Sequence, residues 1–248
     1  MNNDLKINVL DKGYVRMKPA WVMGYGDIEI VNDARVSFDK EVETLTKRDY
    51  GLINYLANHK HTSCFRGTAC KVEMYAPLMV CRQLWKYVIG SQHNEEKLQD
   101  SFTNWNESSR RYITENVEYF LPAENQWRSI PENKKQGSGD FLPVDIGDTV
   151  TERLMIRQLQ SIKDYEWAME QGVCAEEARL FLLGYGLYVR WRWTMSLQSL
   201  CHFISQRVKE ETQSQTRAYG VATYQLVKWF WETGLEKLID DEAMELLQ

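Results

Sequence analysis

Asn106-Glu107-Ser108-Ser109-Arg110-Arg111-Tyr112 places a carboxylate, two hydroxyls, two guanidinium groups and a phenol within one short segment. That density suits a phosphorylated, hydrogen-bonding ligand. Arg111 can fork onto phosphate oxygens, Ser109 can donate its hydroxyl, and Glu107 can meet a ring or a sugar. The same composition also describes a charged surface turn, which is a common feature. A second group lies upstream. If the residues after Pro77 form a helix, Gln83, Lys86, Tyr87 and Gly90 share one face, opposite Cys81, Leu84, Trp85 and Val88. An amide, an ammonium and a phenol on one face can line a site, or can simply be the solvated side of an amphipathic helix.

Two arginines stand out for their apolar neighbours. Arg179 lies in Ala178-Arg179-Leu180-Phe181-Leu182-Leu183, and Arg207 flanks a stripe of Trp193, Leu197, Leu200 and Ile204. A guanidinium stays charged, and burying it unpaired is costly, so each needs an anion. That anion is either an internal carboxylate, such as Glu176 or Glu177, or a bound ligand. His59, His61, His93 and His202 show no metal-ligand spacing, so no metal site is expected. His202, opposite the stripe, reads as a surface histidine. Gly24-Tyr25-Gly26 and Gly184-Tyr185-Gly186 match neither a Rossmann nor a P-loop fingerprint.

Holding these groups in place requires a framework, and periodicity suggests one. Leu5 to Leu10 reads as an opening strand, and Asp49 to Lys60 as a short helix with Leu52, Ile53, Tyr55 and Leu56 on its apolar side. Phe65 to Tyr75 reads as a strand of a mixed sheet, and the helix after Pro77 as ending at Gly90. Ser91 to Asp148 is polar and irregular, too long for a structureless connection, so it carries function or spans subunits. From Thr149 the chain reads as helical almost to its end, with breaks at Gly172 and Gly220.

With 248 residues and 44% hydrophobic content, residues 1–248 are expected to form one domain with a substantial core. No apolar run approaches the roughly 18 residues of a membrane span, and the first residues lack the apolar stretch of a signal peptide, so a cytoplasmic protein is expected. Cys64, Cys70, Cys81, Cys174 and Cys201 form no CxxC pair, which points to reduced and mostly buried thiols. A net charge of -5 offers no global field for a nucleic acid polymer, although local arginines can still bind small anions.

In order and content the chain resembles flavin-dependent thymidylate synthases over nearly its whole length. The resemblance runs through Ala34-Arg35-Val36-Ser37-Phe38, His59 to Phe65, Ala76 to Gln83, Asn106 to Tyr112, Gly172 to Arg179, and Trp193 to Phe203. It implies an α/β (α+β) fold with a mixed, mainly antiparallel sheet, a homotetramer, FAD at subunit interfaces, and active sites shared between chains. By position, Gln83, Lys86, Glu107, Ser109, Arg110, Arg111, Arg179 and Arg207 resemble the dUMP-binding set, with Arg207, Glu107 and Ser109 in the catalytic roles. His61, Ser63, Arg66, Tyr87, Ile89, Ser196, Gln198, His202 and Gln206 fall where the family contacts the flavin.

The implied reaction moves a one-carbon unit from 5,10-methylenetetrahydrofolate to C5 of dUMP, with reducing equivalents from NADPH by way of FAD. It yields dTMP and tetrahydrofolate and needs no cysteine nucleophile. Fixed positive charge and orientation suffice to make C5 of the uracil electron-rich. Lys86-Tyr87-Val88 stands where the family has Arg-His-Arg, Arg66 and Glu211 replace glutamate or histidine, and Gln198 stands where arginine is common. Ser91 to Trp105 is longer than usual. These departures leave open another product, such as a hydroxymethylated pyrimidine, or a non-catalytic nucleotide- or flavin-binding protein.

Overall fold

Arg190-Trp191-Arg192-Trp193-Thr194-Met195 alternates with a period of two. Its tryptophans and Met195 are buried, and the residues between them are more exposed, as a half-buried strand requires. The computed structural model describes residues 5–24, 26–38, 40–93, 104–109, 116–132 and 137–248. The strands are β1 (Leu5–Val9), β2 (Gly13–Met17), β3 (Val22–Met23), β4 (Ala69–Pro77), β5 (Asn104–Glu107) and β6 (Tyr188–Ser196). The helices are α1 (Asp27–Arg35), α2 (Lys47–Asn58), α3 (Ser63–Arg66), α4 (Leu78–His93), α5 (Val144–Glu170), α6 (Ala175–Ala178), α7 (Leu197–Arg207), α8 (Ser214–Val227), α9 (Glu232–Leu238) and α10 (Asp241–Leu247).

The strand order is β1-β2-β4-β6-β5, with β3 joined to the start of β4. Among the described residues every ladder is antiparallel. Val15, Met17, Val72, Met74, Trp191 and Trp193 build the buried face, and α4, α7 and α8 cover it with Leu84, Leu200, Phe203, Ile204 and Tyr219. The other face carries Glu73, only 2% exposed, which accepts from Arg16 at 2.8 Å, Arg192 at 2.9 Å and Tyr14 at 3.0 Å. Gly13 is needed where β2 passes under α8, because a Cβ there would lie 1.9 Å from the Tyr219 hydroxyl.

Several boundaries differ from the expectations. Phe65 and Arg66 belong to α3, and the strand starts only at Ala69. The helix after Pro77 continues to His93. The irregular middle contains β5, which pairs Asn106 with Arg192 and Glu107 with Trp191, so the first two residues of the dense polar segment are an edge strand. β6 interrupts the supposedly helical C-terminal half, and Trp193 belongs to it rather than to a helical stripe with Leu197, Leu200 and Ile204. Gly172, at φ 87°, does terminate the helical run of α5. Gly220 instead lies inside α8, where a Cβ would come within 3.2 Å of the Arg207 carbonyl, so it serves the close approach of α7 and α8.

The short helix α9 takes its cap from a distant residue. Asp27, at the start of α1, accepts from the Thr233 and Gly234 amides, both at 2.8 Å, while 8% exposed. Two first-turn donors are thereby satisfied across the fold. Asp27→Ala is expected to destabilise the protein by about 2 kcal/mol. Urea unfolding read by tryptophan fluorescence measures this, and an unchanged midpoint would rule the cap out as a stabilising element. Among the described residues, no helix is long and apolar enough to cross a membrane.

Candidate functional site

The residues singled out by their chemistry gather on two sides of α4. On the first side, β5 delivers Glu107, whose Oε2 accepts from Cys81 Sγ at 3.5 Å and from Trp105 Nε1 at 3.4 Å. Trp105 is itself held between Trp191, with centroids 5.0 Å apart, and the half-exposed Trp85, at 5.3 Å. Ser108 continues the pairing, donating its amide to the Arg190 carbonyl at 2.7 Å. Glu107, Ser108, Ser109 and Arg179 then line one cavity of 510 Å³, floored by Leu78, Leu187 and Val189. Arg110, Arg111 and Tyr112 lie outside the described residues.

Arg179 does not sit as its apolar neighbours suggested. It opens a short 3-10 turn after α6, where Leu180 is 83% exposed, so those neighbours do not bury it. Its Nε donates to the Glu176 backbone carbonyl at 2.9 Å. Cys81, beside Glu107, is buried, and that burial followed by the Glu107 charge pushes its thiol well up. Such a group remains a neutral thiol and is not a nucleophile at neutral pH.

On the second side, Gln83 is held as an oriented amide. Its Nε2 donates to Gln213 Oε1 at 2.5 Å, and its Oε1 accepts from Thr216 at 3.1 Å. Arg207, the last residue of α7, lies 5.1 Å over the Tyr87 ring, and its buried Nε has no hydrogen-bond partner among the described residues. Tyr87 packs edge-on against Phe203 and tilted against His202. Burial raises the Tyr87 phenol despite the Arg207 charge; His202 is exposed, as a surface histidine should be, and its partial desolvation against Tyr87 and then the Arg207 charge lower the imidazole. Both groups are therefore neutral at neutral pH, leaving Arg207 as the cation of this cluster. Gln83 and Arg207 open onto a cavity of 870 Å³ that Arg128 and Glu211 also line. Lys86 is exposed on the same helix, and the side chain of Ile89 is outside what is described.

Along α7, Gln198, His202 and Gln206 recur at i, i+4 and i+8, forming a polar ledge about 12 Å long. At its start, Arg66 Nη1 donates to Thr62 Oγ1 at 2.8 Å and to Gln198 Oε1 at 3.4 Å. Both partners are neutral, so the guanidinium charge is not cancelled by them. Ser196 is fully buried and caps α7 by accepting from the Ser199 amide at 3.2 Å, which makes its hydroxyl part of the helix start. Ser63 and His61 are exposed, and His61 stands edge-on to Tyr55 and His59 rather than against the ledge.

Cys81 and Gln83 are two residues apart and so point about 200° away from each other around α4. Within one chain the Glu107–Arg179 group and the Gln83–Arg207 group therefore face different ways. Sequence reasoning missed Thr216 and Gln213, which fix Gln83, and also Arg128. The first two carry no local signal, because the contact joins residues more than a hundred positions apart.

Comparison with known proteins identifies the family and the fold. The family model described as thymidylate synthase complementing protein matches residues 23–231. A protein of Anaplasma marginale named flavin-dependent thymidylate synthase is 32% identical over 223 residues, covering 90% of this chain and 70% of that protein. One of Thermus thermophilus with the same name is 32% identical over 228 residues, covering 92% and 76%. Among solved structures, a UMP/dUMP methylase PolB from Streptomyces cacaoi bound with 5-Br dUMP superposes with a TM-score of 0.74. It covers 93% of this chain and 96% of the other at 20% identity, a likeness of fold.

Proposed function

We propose, from the premise that this chain belongs to the flavin-dependent thymidylate synthase family, that it methylates C5 of dUMP to give dTMP. The observation that carries the reading is Arg207, a fixed cation with a buried, unpaired Nε donor beside the oriented amide of Gln83. Positive charge held against a uracil stabilises electron density drawn onto its ring carbonyls and makes C5 nucleophilic, without a covalent thiolate. The neutral Cys81 thiol agrees with that route.

The polar ledge fits a flavin. Gln198, His202 and Gln206 offer hydrogen-bonding groups along an extended ligand, and Arg66 offers charge for its phosphates at one end. When bound, FAD supplies the redox chemistry that links NADPH to the one-carbon unit of 5,10-methylenetetrahydrofolate. The chain's own contribution is to bind, orient and polarise. Tyr87, in the altered Lys86-Tyr87-Val88 segment, acts as the aromatic platform under Arg207.

The remaining dUMP contacts come from a second copy. Glu107, Ser109 and Arg179 face away from Gln83 and Arg207 in one chain, so a complete site needs both groups from different protomers. The apolar side chains that α5 leaves exposed, among them Ile156, Leu159 and Trp167, suit burial in such a homotetramer. Incubating the purified protein with FAD, dUMP, methylenetetrahydrofolate and NADPH is expected to yield dTMP by mass analysis. Absence of any modified nucleotide with FAD bound and dUMP saturating would overturn the reading, and a hydroxymethylated product would replace it.

A further inference from the structure

Thr216 is wholly buried in the first turn of α8, yet its hydroxyl reaches out of that helix and donates to Gln83 Oε1 on α4 at 3.1 Å. Gln213, the residue just before α8, spans one turn of α4. Its Nε2 lies 3.4 Å from Met79 Sδ, and its Oε1 accepts from Gln83 Nε2 at 2.5 Å. The same Nε2 donates to Gln215 Oε1 at 3.0 Å. Met79, Gln83, Gln213, Gln215 and Thr216 therefore form one connected polar chain between the two helices.

These contacts fix the sense of both amides. A thioether sulfur only accepts, so Gln213 turns its NH2 group toward Met79 and its oxygen toward Gln83. Gln83 must then meet that oxygen with its own NH2 group. Flipped, it would set two carbonyl oxygens against each other at hydrogen-bond distance and give up the proton that Thr216 supplies. One Nε2 proton of Gln83 is left over, with no acceptor among the described residues, at the wall of the cavity that Arg207 also lines.

We propose that Thr216 and Gln213 are positioning residues of the active site. They hold Gln83 in one rotamer and one amide sense, with an N–H left for an acceptor oxygen of the nucleotide, either a uracil carbonyl or a phosphate oxygen. The inference rests on the dUMP reading above and adds to it the residues that preset the amide. A glutamine side chain without such partners samples several rotamers and both senses, and ordering it on binding costs affinity. With the order built into the fold, that cost is removed before the nucleotide arrives. Thr216 has no exposed surface with which to touch a ligand, so its influence passes through Gln83 alone.

Calorimetric titration of dUMP into the full-length, FAD-loaded protein reads the effect without turnover. Thr216→Val, close in shape but lacking the hydroxyl, is expected to weaken dUMP binding about five- to tenfold, and Thr216→Ser to stay within about twofold of wild type. In a Gln83→Ala background the same valine substitution should weaken binding no further, because the residue it acts through is gone. Gln213→Leu, at an exposed position, should show the same dependence on background. Competition against dUMP by 2'-deoxyuridine and by 2-deoxyribose 5-phosphate identifies the oxygen, since the fragment that Thr216→Val weakens is the one that carries it. The inference is overturned by equal losses in both backgrounds, by no loss in either, by a loss that serine does not rescue, or by weakening of neither fragment. Failure of the parent reading is a separate result, since it appears as wild-type protein that binds dUMP but forms no dTMP, whatever the titrations of the variants show.

Discussion

Replacing Arg207 with glutamine should lower dTMP formation at saturating dUMP by about 100-fold or more, the usual effect of removing one fixed donor from a developing negative charge. The geometry explains why this loss would be catalytic rather than structural. The Nε of Arg207 has no hydrogen-bond partner among the described residues, and the guanidinium rests on the Tyr87 ring, so substitution gives up no buried ion pair. Unfolding stability should therefore fall by only about 1 kcal/mol, the contribution of the ring contact. Arg207→Lys keeps a cation without the fork and should fall between. The measurement is kcat with dUMP and folate both saturating, alongside a thermal melt. A glutamine variant that retains near wild-type kcat would remove Arg207 from the chemistry.

Glu73→Ala should be the most damaging single change to the fold, with a loss of about 2–4 kcal/mol. The carboxylate is almost wholly buried in β4 and binds Arg16, Arg192 and Tyr14 together, so its removal leaves three donors facing an empty acceptor. The loss stays below the upper end for buried pairs because Arg192 is 53% exposed and can regain water. Burial alone would raise the Glu73 pKa, but the bonds from Arg192, Arg16 and Tyr14 outweigh it and leave the net value lowered. A carboxylate with a lowered folded pKa stabilises the protein above its unfolded value, about 4.3, and loses that contribution as pH falls through the folded value. The wild-type urea midpoint should accordingly fall with acid below about pH 4.3, and Glu73→Gln should lose the part of that slope owed to this group. A slope unaltered by the substitution would refute the assignment.

The sequence by itself determined the chemical inventory and much of the local structure. Apolar spacing after Pro77 places the start of α4 and puts Cys81 and Leu84 in the core. The blocks from Ala34 to Phe203 mark the family, and the dense polar segment at Asn106 includes the Glu107 and Ser109 that line a cavity with Arg179. Where the reading failed, the deciding contact was distant. Helix is expected across β6 because Arg190 to Met195, although it alternates with a strand's period of two, runs directly into the helical Leu197 to Arg207; pairing with β4, more than a hundred residues away, fixes the strand. Gly220 resembles a breaker in isolation, but its role follows from how closely α8 crosses α7.

Only the tertiary structure decided how the polar segment at Asn106 relates to Gln83 and Arg207. All resemble parts of one dUMP-binding set, and the turn of α4 sends Cys81 toward Glu107 and Gln83 toward α8, dividing that set between two faces of one chain. It also decided that Arg128 shares the Gln83 cavity, because an arm folded back on α5 carries it there. Residue types and short-range periods are written in the sequence. The convergence of groups across long separations is not, because it depends on which faces the packed elements turn toward one another.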